Sequence, residues 1–342
     1  MADENEITAP FEVETLQAAW TGRLPAHPRL HAYLVCGAKT DLGRVRENNE
    51  DKFDSYEPDD PRLLATKGRV YAVADGMGGH SAGQVAAELS LNVFIRSLFA
   101  DENPDLEASL RSAVREANAY VVDVARTVPG RNGMGATLTA VVVRDDDLFI
   151  AQVGDSRCYL LRDGQLEQLT EDHSWVAEQV RSGAMSEEQA EQSPFRNVIT
   201  RSMGGAAEVE PDLTAVKLQV GDRFLLCSDG LSGMVPAAGL AEILSTGSAS
   251  AAAWSLVDRA NQAGGRDNIT ALVLDVVDLQ PWPAEEGEAE ETALLTASEN
   301  SNGHSPTPAL ELPKEVESPA AVPAASAPDG KGGFVRRLFG RS

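Results

Sequence analysis

Five acidic positions in this chain stand where an apolar run gives way to a turn. Asp75 ends "RVYAVA" and is followed by Gly76; Asp229 ends "RFLLCS" and is followed by Gly230. Asp267 lies in "GGRDNIT", just ahead of the last apolar run, while Glu50 and Asp51 lie in "RENNED" after the first. A carboxylate at a strand end can point into a cleft shared with acids from neighbouring strands. Hard oxygen donors without a His–Cys grouping suit Mg²⁺ or Mn²⁺ rather than zinc. Gly76 and the pair Gly78-Gly79 lack Cβ atoms, which lets the backbone turn tightly enough for a carbonyl to join such a ligand set. Asp-Gly is also a common turn dipeptide, so surface turns are the competing reading.

The elements that must position these acids follow from periodicity. Residues 33–41 ("YLVCGAKTD") and 69–75 ("RVYAVAD") are strand-like runs ending in turn residues. Residues 81–99 open with Ser81 and Gln84 at capping-box spacing and continue with apolar residues at helical intervals. A second helix fits 104–126, and 135–170 reads as a strand meander turning at "RDDD" and "RDGQ". After a polar, partly helical insert come the strand into "SDG", helices near 237–245 and 251–264, and a last strand over 268–277. Hairpin strands with helices in separate blocks predict an antiparallel α+β layered fold rather than a parallel, doubly wound one.

Charge narrows the partners. Against 29 Lys and Arg stand 53 Asp and Glu, a formal net charge of −24 over 342 residues. Such a body repels phosphate backbones, so nucleic acid is a poor partner, and any phosphate site must supply its own positive field. Cys36, Cys158 and Cys227 each sit in an apolar stretch and read as buried thiols. No apolar run reaches the roughly 20 residues of a membrane span, and "MADENEITAP" has no signal-peptide pattern, so no transmembrane segment and a cytoplasmic location are expected.

Three zones emerge. Residues 1–32 form an acidic leader with one short helix pattern at 13–20, and 33–279 form the folded zone. Residues 280–342, rich in Ala, Glu, Ser, Thr and Pro, cannot bury enough apolar surface to offset ordering and are expected to be a disordered tail. The tail ends in a basic amphipathic tip at 331–342, where Phe334, Val335, Leu338 and Phe339 can share one helical face. The tip is either a docking peptide or an unstructured end.

Five motifs then fall in one order: "RENNED" (46–51), "DGMGGHSAG" (75–83), "GDSR" (154–157), "SDG" (228–230) and "GGRDN" (264–268). In that order and spacing the chain resembles the protein phosphatase 2C-like family of metal-dependent serine/threonine phosphatases, and Met77 makes it most similar to the bacterial branch. The resemblance spans about residues 33–278. It implies a sandwich of two antiparallel β-sheets flanked by α-helices, a four-layer αββα fold with a dinuclear Mg²⁺ or Mn²⁺ site at one end. Carried over, Asp75 bridges both ions, the Gly76 carbonyl ligates one of them, and Asp229 and Asp267 complete the other. Glu50 holds the first ion directly or through water, and Asp51 supports it from behind. Asp155 matches an acid that holds a third, weaker metal in some bacterial members; a structural turn is the equal alternative. The implied reaction is in-line attack on phosphoserine or phosphothreonine by a hydroxide bridging the two ions.

Arg46 precedes Glu50 by four residues, as the family's phosphate-binding arginine does, and a planar guanidinium can grip two phosphate oxygens at once. Three departures from the family pattern stand out: Met77 cannot donate a proton where animal relatives have histidine, leaving a water or His80; Ala136 replaces a usual threonine; and "SPFRN" lacks a common histidine. The segment 170–205 resembles the family's mobile flap, which makes Arg196, Asn197 and Arg201 candidate substrate contacts, with a packed helical edge as the alternative; His173 is expected to be structural. The implied partners are phosphorylated proteins and a cognate serine/threonine kinase. The competing function is a catalytically silent phosphoprotein-binding module.

Overall fold

The computed structural model describes residues 25–79 and 81–283. The expected leader helix at 13–20, His80, and the tail from 284 on with its basic tip lie outside them, while residues 280–283, expected in the tail, are described. Two five-stranded antiparallel sheets face each other. The first runs β1-β12-β11-β8-β9, from β1 (Leu30–Asp41), β12 (Ile269–Pro281), β11 (Arg223–Cys227), β8 (Arg157–Arg162) and β9 (Gln165–Gln168). The second runs β10-β7-β6-β3-β2, from β10 (Asp212–Lys217), β7 (Asp147–Val153), β6 (Leu138–Arg144), β3 (Arg69–Ala74) and β2 (Lys52–Tyr56). A two-stranded ladder of β4 (Gly76–Met77) and β5 (Gly135–Ala136) extends past the end of β3.

Strand alternation builds three apolar layers. Tyr71, Val73, Val141 and Ile150 of the second sheet meet Leu160, Phe224, Leu226 and Leu272 of the first in the middle layer. The opposite face of the second sheet (Val70, Ala72, Ala140, Val142) is covered by α2 (Ser81–Ala100) and α3 (Leu106–Thr127) through Phe94, Leu98, Leu110 and Val114. The opposite face of the first sheet is covered by α7 (Ala237–Leu244) and α8 (Ala249–Gln262) through Leu240, Leu256 and Val257. The four-layer αββα sandwich expected from the resemblance is therefore the observed architecture. Small helices α1 (Pro61–Thr66), α4 (Trp175–Arg181), α5 (Glu187–Glu191) and α6 (Asp229–Ser232) complete the elements.

Two expectations need correction. Cys158 and Cys227 are buried on neighbouring strands, but Cys36 lies on edge strand β1 and is exposed. An edge strand has a neighbour on only one side, so an apolar sequence there does not guarantee cover. Ser81 is the first residue of α2 rather than its cap, and its hydroxyl accepts a bond from Arg131 Nη1 at 2.7 Å.

Candidate metal and phosphate site

The predicted acids arrive at one end of the sandwich because antiparallel pairing brings alternating strand ends together. Asp51 precedes β2 and Asp75 follows β3, on the second sheet. Asp229 follows β11 and Asp267 precedes β12, on the first. Asp155 sits where the chain leaves β7 in one sheet and enters β8 in the other. Gly154 makes that passage at φ +105°, with Thr137 packed where a Cβ would stand.

Hydroxyls and amides fix the cluster. Thr137 Oγ1 accepts from Asp75 N at 2.8 Å and exchanges a hydrogen bond with Ser156 Oγ at 2.7 Å. Thr137 N donates to Asp75 O at 2.8 Å. Asp51 is buried, and its Oδ2 accepts from both Ser228 Oγ and Thr270 Oγ1 at 2.7 Å, while Oδ1 is buried without a hydrogen-bond partner. Asn268 braces the loop that carries Glu50. Its Nδ2 donates to Leu42 O and Asn48 O (3.0 and 2.9 Å), and its Oδ1 accepts from Glu50 N at 2.8 Å. The Glu50 carboxylate lies against Gly83 in the first turn of α2, and the main chain of Gly83 lies against Gly76, so neither glycine has room for a Cβ.

Electrostatics shows what the arrangement costs. Burial, then repulsion from Asp51, Asp229, Asp155 and Asp267, pushes the Asp75 carboxyl well above the usual carboxylate range. Burial raises Asp51 to about 7, against the pull of the Ser228 and Thr270 hydrogen bonds and with help from Asp229 and Asp267. Burial and Asp229 hold Asp155 at about 8. Asp229 is raised by burial and by Asp267, against the pull of Asp75, Arg46 and Arg157. Positive charge facing this group comes from Arg46, whose Nη2 donates to Asp267 Oδ2 at 2.7 Å and which stays half exposed, and from Arg157, which acts on Asp155 and Asp229.

These donors suit a hard divalent cation chemically. They are oxygens, they repel one another, and one of them, Asp51 Oδ1, is buried without a partner. Among the described residues, no three His, Cys, Asp or Glu side chains close on one point as a finished cage. The cluster is open, with Arg46 holding one Asp267 oxygen.

The structure separates the remaining predicted residues. His173 is buried and structural: its Nδ1 accepts from Gly154 N at 3.0 Å, which leaves Nε2 to donate to Asp212 Oδ2 at 2.9 Å. Arg201 Nη1 is held by Glu210 O at 3.1 Å and Asp212 Oδ1 at 2.5 Å, which ties this candidate to β10 while its side chain stays partly exposed. Arg196 and Asn197 are exposed within 170–205, and no hydrogen bond among the described residues ties their side chains to the acids. That segment closes on itself through Trp175 N–H to Val198 O at 2.8 Å and a ring contact between Trp175 and Phe195. It is rooted on the Asp155 turn by Arg157, which pairs with Asp172 at 2.7 Å. Ser228, Thr270, Asn268, Thr137 and Gly83 were missed from sequence. All but Thr137 lie in a quoted motif or stretch, but a hydroxyl, amide or glycine carries no charge to betray its role.

Similarity to known proteins agrees with the geometry. The Protein phosphatase 2C family model matches residues 46–262. The chain is 41% identical over 245 residues to the serine/threonine phosphatase stp of Listeria innocua, covering 69% of this chain and 94% of that protein. It is 40% identical over 250 residues to the serine/threonine protein phosphatase PstP of Mycobacterium tuberculosis, covering 73% of this chain and 46% of that one. Among solved structures, the catalytic domain of PstP in complex with two manganese ions superposes with a TM-score of 0.62 at 39% identity, over 72% of this chain and 99% of that chain. Stp1 of Staphylococcus aureus gives a TM-score of 0.67 at 32% identity, over 74% and 99%. The chain belongs to the protein phosphatase 2C family, in its bacterial branch.

Proposed function

We propose that the protein removes phosphate from phosphoserine and phosphothreonine in proteins, opposing a serine/threonine kinase, with two Mg²⁺ or Mn²⁺ ions at the carboxylate cluster. The observation that carries this reading is the convergence of Asp51, Asp75, Asp155, Asp229 and Asp267, from both sheets, into one mutually repelling group beside Arg46. Asp75 would be shared between the ions, with the Gly76 carbonyl, Glu50, Asp229 and Asp267 completing their ligands. Asp155 with Asp229 would hold a weaker third ion. When bound, such cations acidify water for attack on phosphorus and offset charge on the phosphoryl oxygens.

The chain's own residues do the rest. Arg46 keeps guanidinium nitrogens beyond its bond to Asp267 and can hold two phosphate oxygens, orienting phosphorus toward the acids. The Thr137 and Ser156 hydroxyls hold the Asp75 backbone in place, and Asn268 fixes the loop bearing Arg46 and Glu50. Met77 offers no proton, so the leaving oxygen takes one from water at the open face.

The test is hydrolysis of p-nitrophenyl phosphate and a phosphothreonine peptide with Mn²⁺, with chelator, and with Asp75→Asn. Turnover with Mn²⁺ that chelator abolishes and Asp75→Asn lowers by about a thousandfold or more is expected. Phosphopeptide binding without turnover would replace this reading with a silent binding module.

A further inference from the structure

The two loops that carry Glu50 and Asp267 also carry three arginines. The loop after β1 and the loop before β12 are laced together in step: Arg44 N–H donates to Gly265 O at 2.7 Å, and Arg46 Nη2 donates to Asp267 Oδ2 at 2.7 Å. Arg266 lies between those two acceptors. All three arginines are exposed. Arg46 is engaged by Asp267, whereas neither Arg44 nor Arg266 forms an ion pair among the described residues; Arg44 acts on Asp41 without reaching ion-pair distance.

Many arginines elsewhere are claimed by acids, and those that form no ion pair among the described residues, such as Arg62, Arg96, Arg126, Arg196 and Arg259, lie off these two loops. Glu210 takes Arg111 and Arg115, Asp222 takes Arg162, Glu171 takes Arg181 and Asp275 takes Arg223. In a chain of net charge −24, two guanidiniums without an ion pair, on the loops that also carry Arg46 and Asp267, put positive charge on that rim of a negative body. Such a rim attracts anions to that edge of the site.

We propose that Arg44 and Arg266 form a second anion-binding subsite, which selects phosphoproteins carrying an acidic or a second phosphorylated residue near the one hydrolysed. The proposal rests on the phosphatase reading above. Its reach follows from spacing. Arg44 and Arg46 are two residues apart, so their Cα atoms are separated by at most ~7 Å, the span of two residues in an extended peptide. With Arg46 on the phosphate, the rim meets a side chain about two positions away. A carboxylate and a phosphate are both suitable ligands, and a phosphate offers Arg the better two-point contact.

The experiment compares kcat/KM, in Mn²⁺, for three phosphothreonine peptides differing only two positions from the phosphothreonine: alanine, glutamate or phosphoserine. The wild type should prefer one or both anionic peptides by about fivefold over the alanine peptide. Arg44→Gln/Arg266→Gln should lose that preference and Arg44→Lys/Arg266→Lys should retain part of it. Because the readout is a ratio between peptides, a general loss of activity cancels. A preference for both anionic peptides assigns the subsite to acidic flanks, and a preference for phosphoserine alone assigns it to a second phosphate. The preference should collapse at about 0.5 M salt. Equal rates on all three peptides, or a preference that survives in the glutamine variant, overturns the subsite while leaving the phosphatase intact. No turnover of any peptide or of p-nitrophenyl phosphate overturns both.

Discussion

Replacing Asp51 with asparagine isolates the electrostatic strain of the cluster. Burial, with Asp229 and Asp267 nearby, holds this carboxyl at about 7 against its usual 3.8. Between those values the folded protein keeps a proton that the unfolded chain has released, so stability falls as pH rises through the window. By pH 8 the ionised side chain costs the fold up to about 4 kcal/mol. Asparagine keeps an acceptor for the Ser228 and Thr270 hydroxyls and carries no charge. Its NH₂ would take the place of Oδ1, which has no partner, at a cost of about 1–3 kcal/mol. In chelator at pH 8, Asp51→Asn should therefore exceed the wild type by ~1–3 kcal/mol in urea unfolding, the difference left between those two effects. At pH 5 the wild-type carboxyl is protonated, and the advantage should vanish or reverse. A variant no more stable at pH 8, or one with the same gain at both pH values, would refute the claim that Asp51 is strained by its charge.

Other substitutions probe other parts of the site. Arg46→Lys keeps the charge but loses the planar fork, so KM for a phosphopeptide should rise about tenfold with a smaller change in kcat; an unchanged KM would remove Arg46 from phosphate binding. Gly83→Ala drives a Cβ into the Glu50 carboxylate and the Gly76 backbone. It should cost about 1–3 kcal/mol and raise the Mn²⁺ concentration needed for half-maximal activity. His173→Ala leaves Gly154 N–H buried without its acceptor, for a loss of about 1–3 kcal/mol in urea unfolding. Burial lowers the wild-type imidazole pKa despite Asp212, so the stability it confers is present above its usual 6.5 and is lost as pH falls below it. The alanine variant should lack that acid-side decline.

The long elements and the acids were legible because each left a strong local mark. The helix at 81–100 and the strands bearing Asp75 and Asp229 have clear apolar periodicity, and carboxylates beside glycine or asparagine announce themselves at strand ends. What escaped the reading carries weak signals. Strand β10 ("DLTAVK") and strand β2 ("KFDSY") are largely exposed and lie at the two edges of one sheet, so their sequences show no buried face. Ladder β4–β5 is two residues long on each side and is set by its neighbours rather than by propensity. The tie from Arg201 to Asp212 was hidden because charge alone does not reveal a partner; Asp212, eleven residues on, reaches it only once β10 is in place. Asn268 was quoted in a motif for the sake of its neighbour Asp267, yet three of its hydrogen bonds hold the loop that presents Arg46 and Glu50.

Asp51 and Asp75 hang from one sheet, Asp229 and Asp267 from the other, and Asp155 from the turn that joins them. The reactive centre thus reports the alignment of two plates. Sliding one against the other by an ångström would leave each sheet's hydrogen bonds whole while pulling the acids out of step. Inactivation by heat or mild denaturant should accordingly precede loss of secondary structure, and a cation gripped from both sides would act as a rivet against that shear.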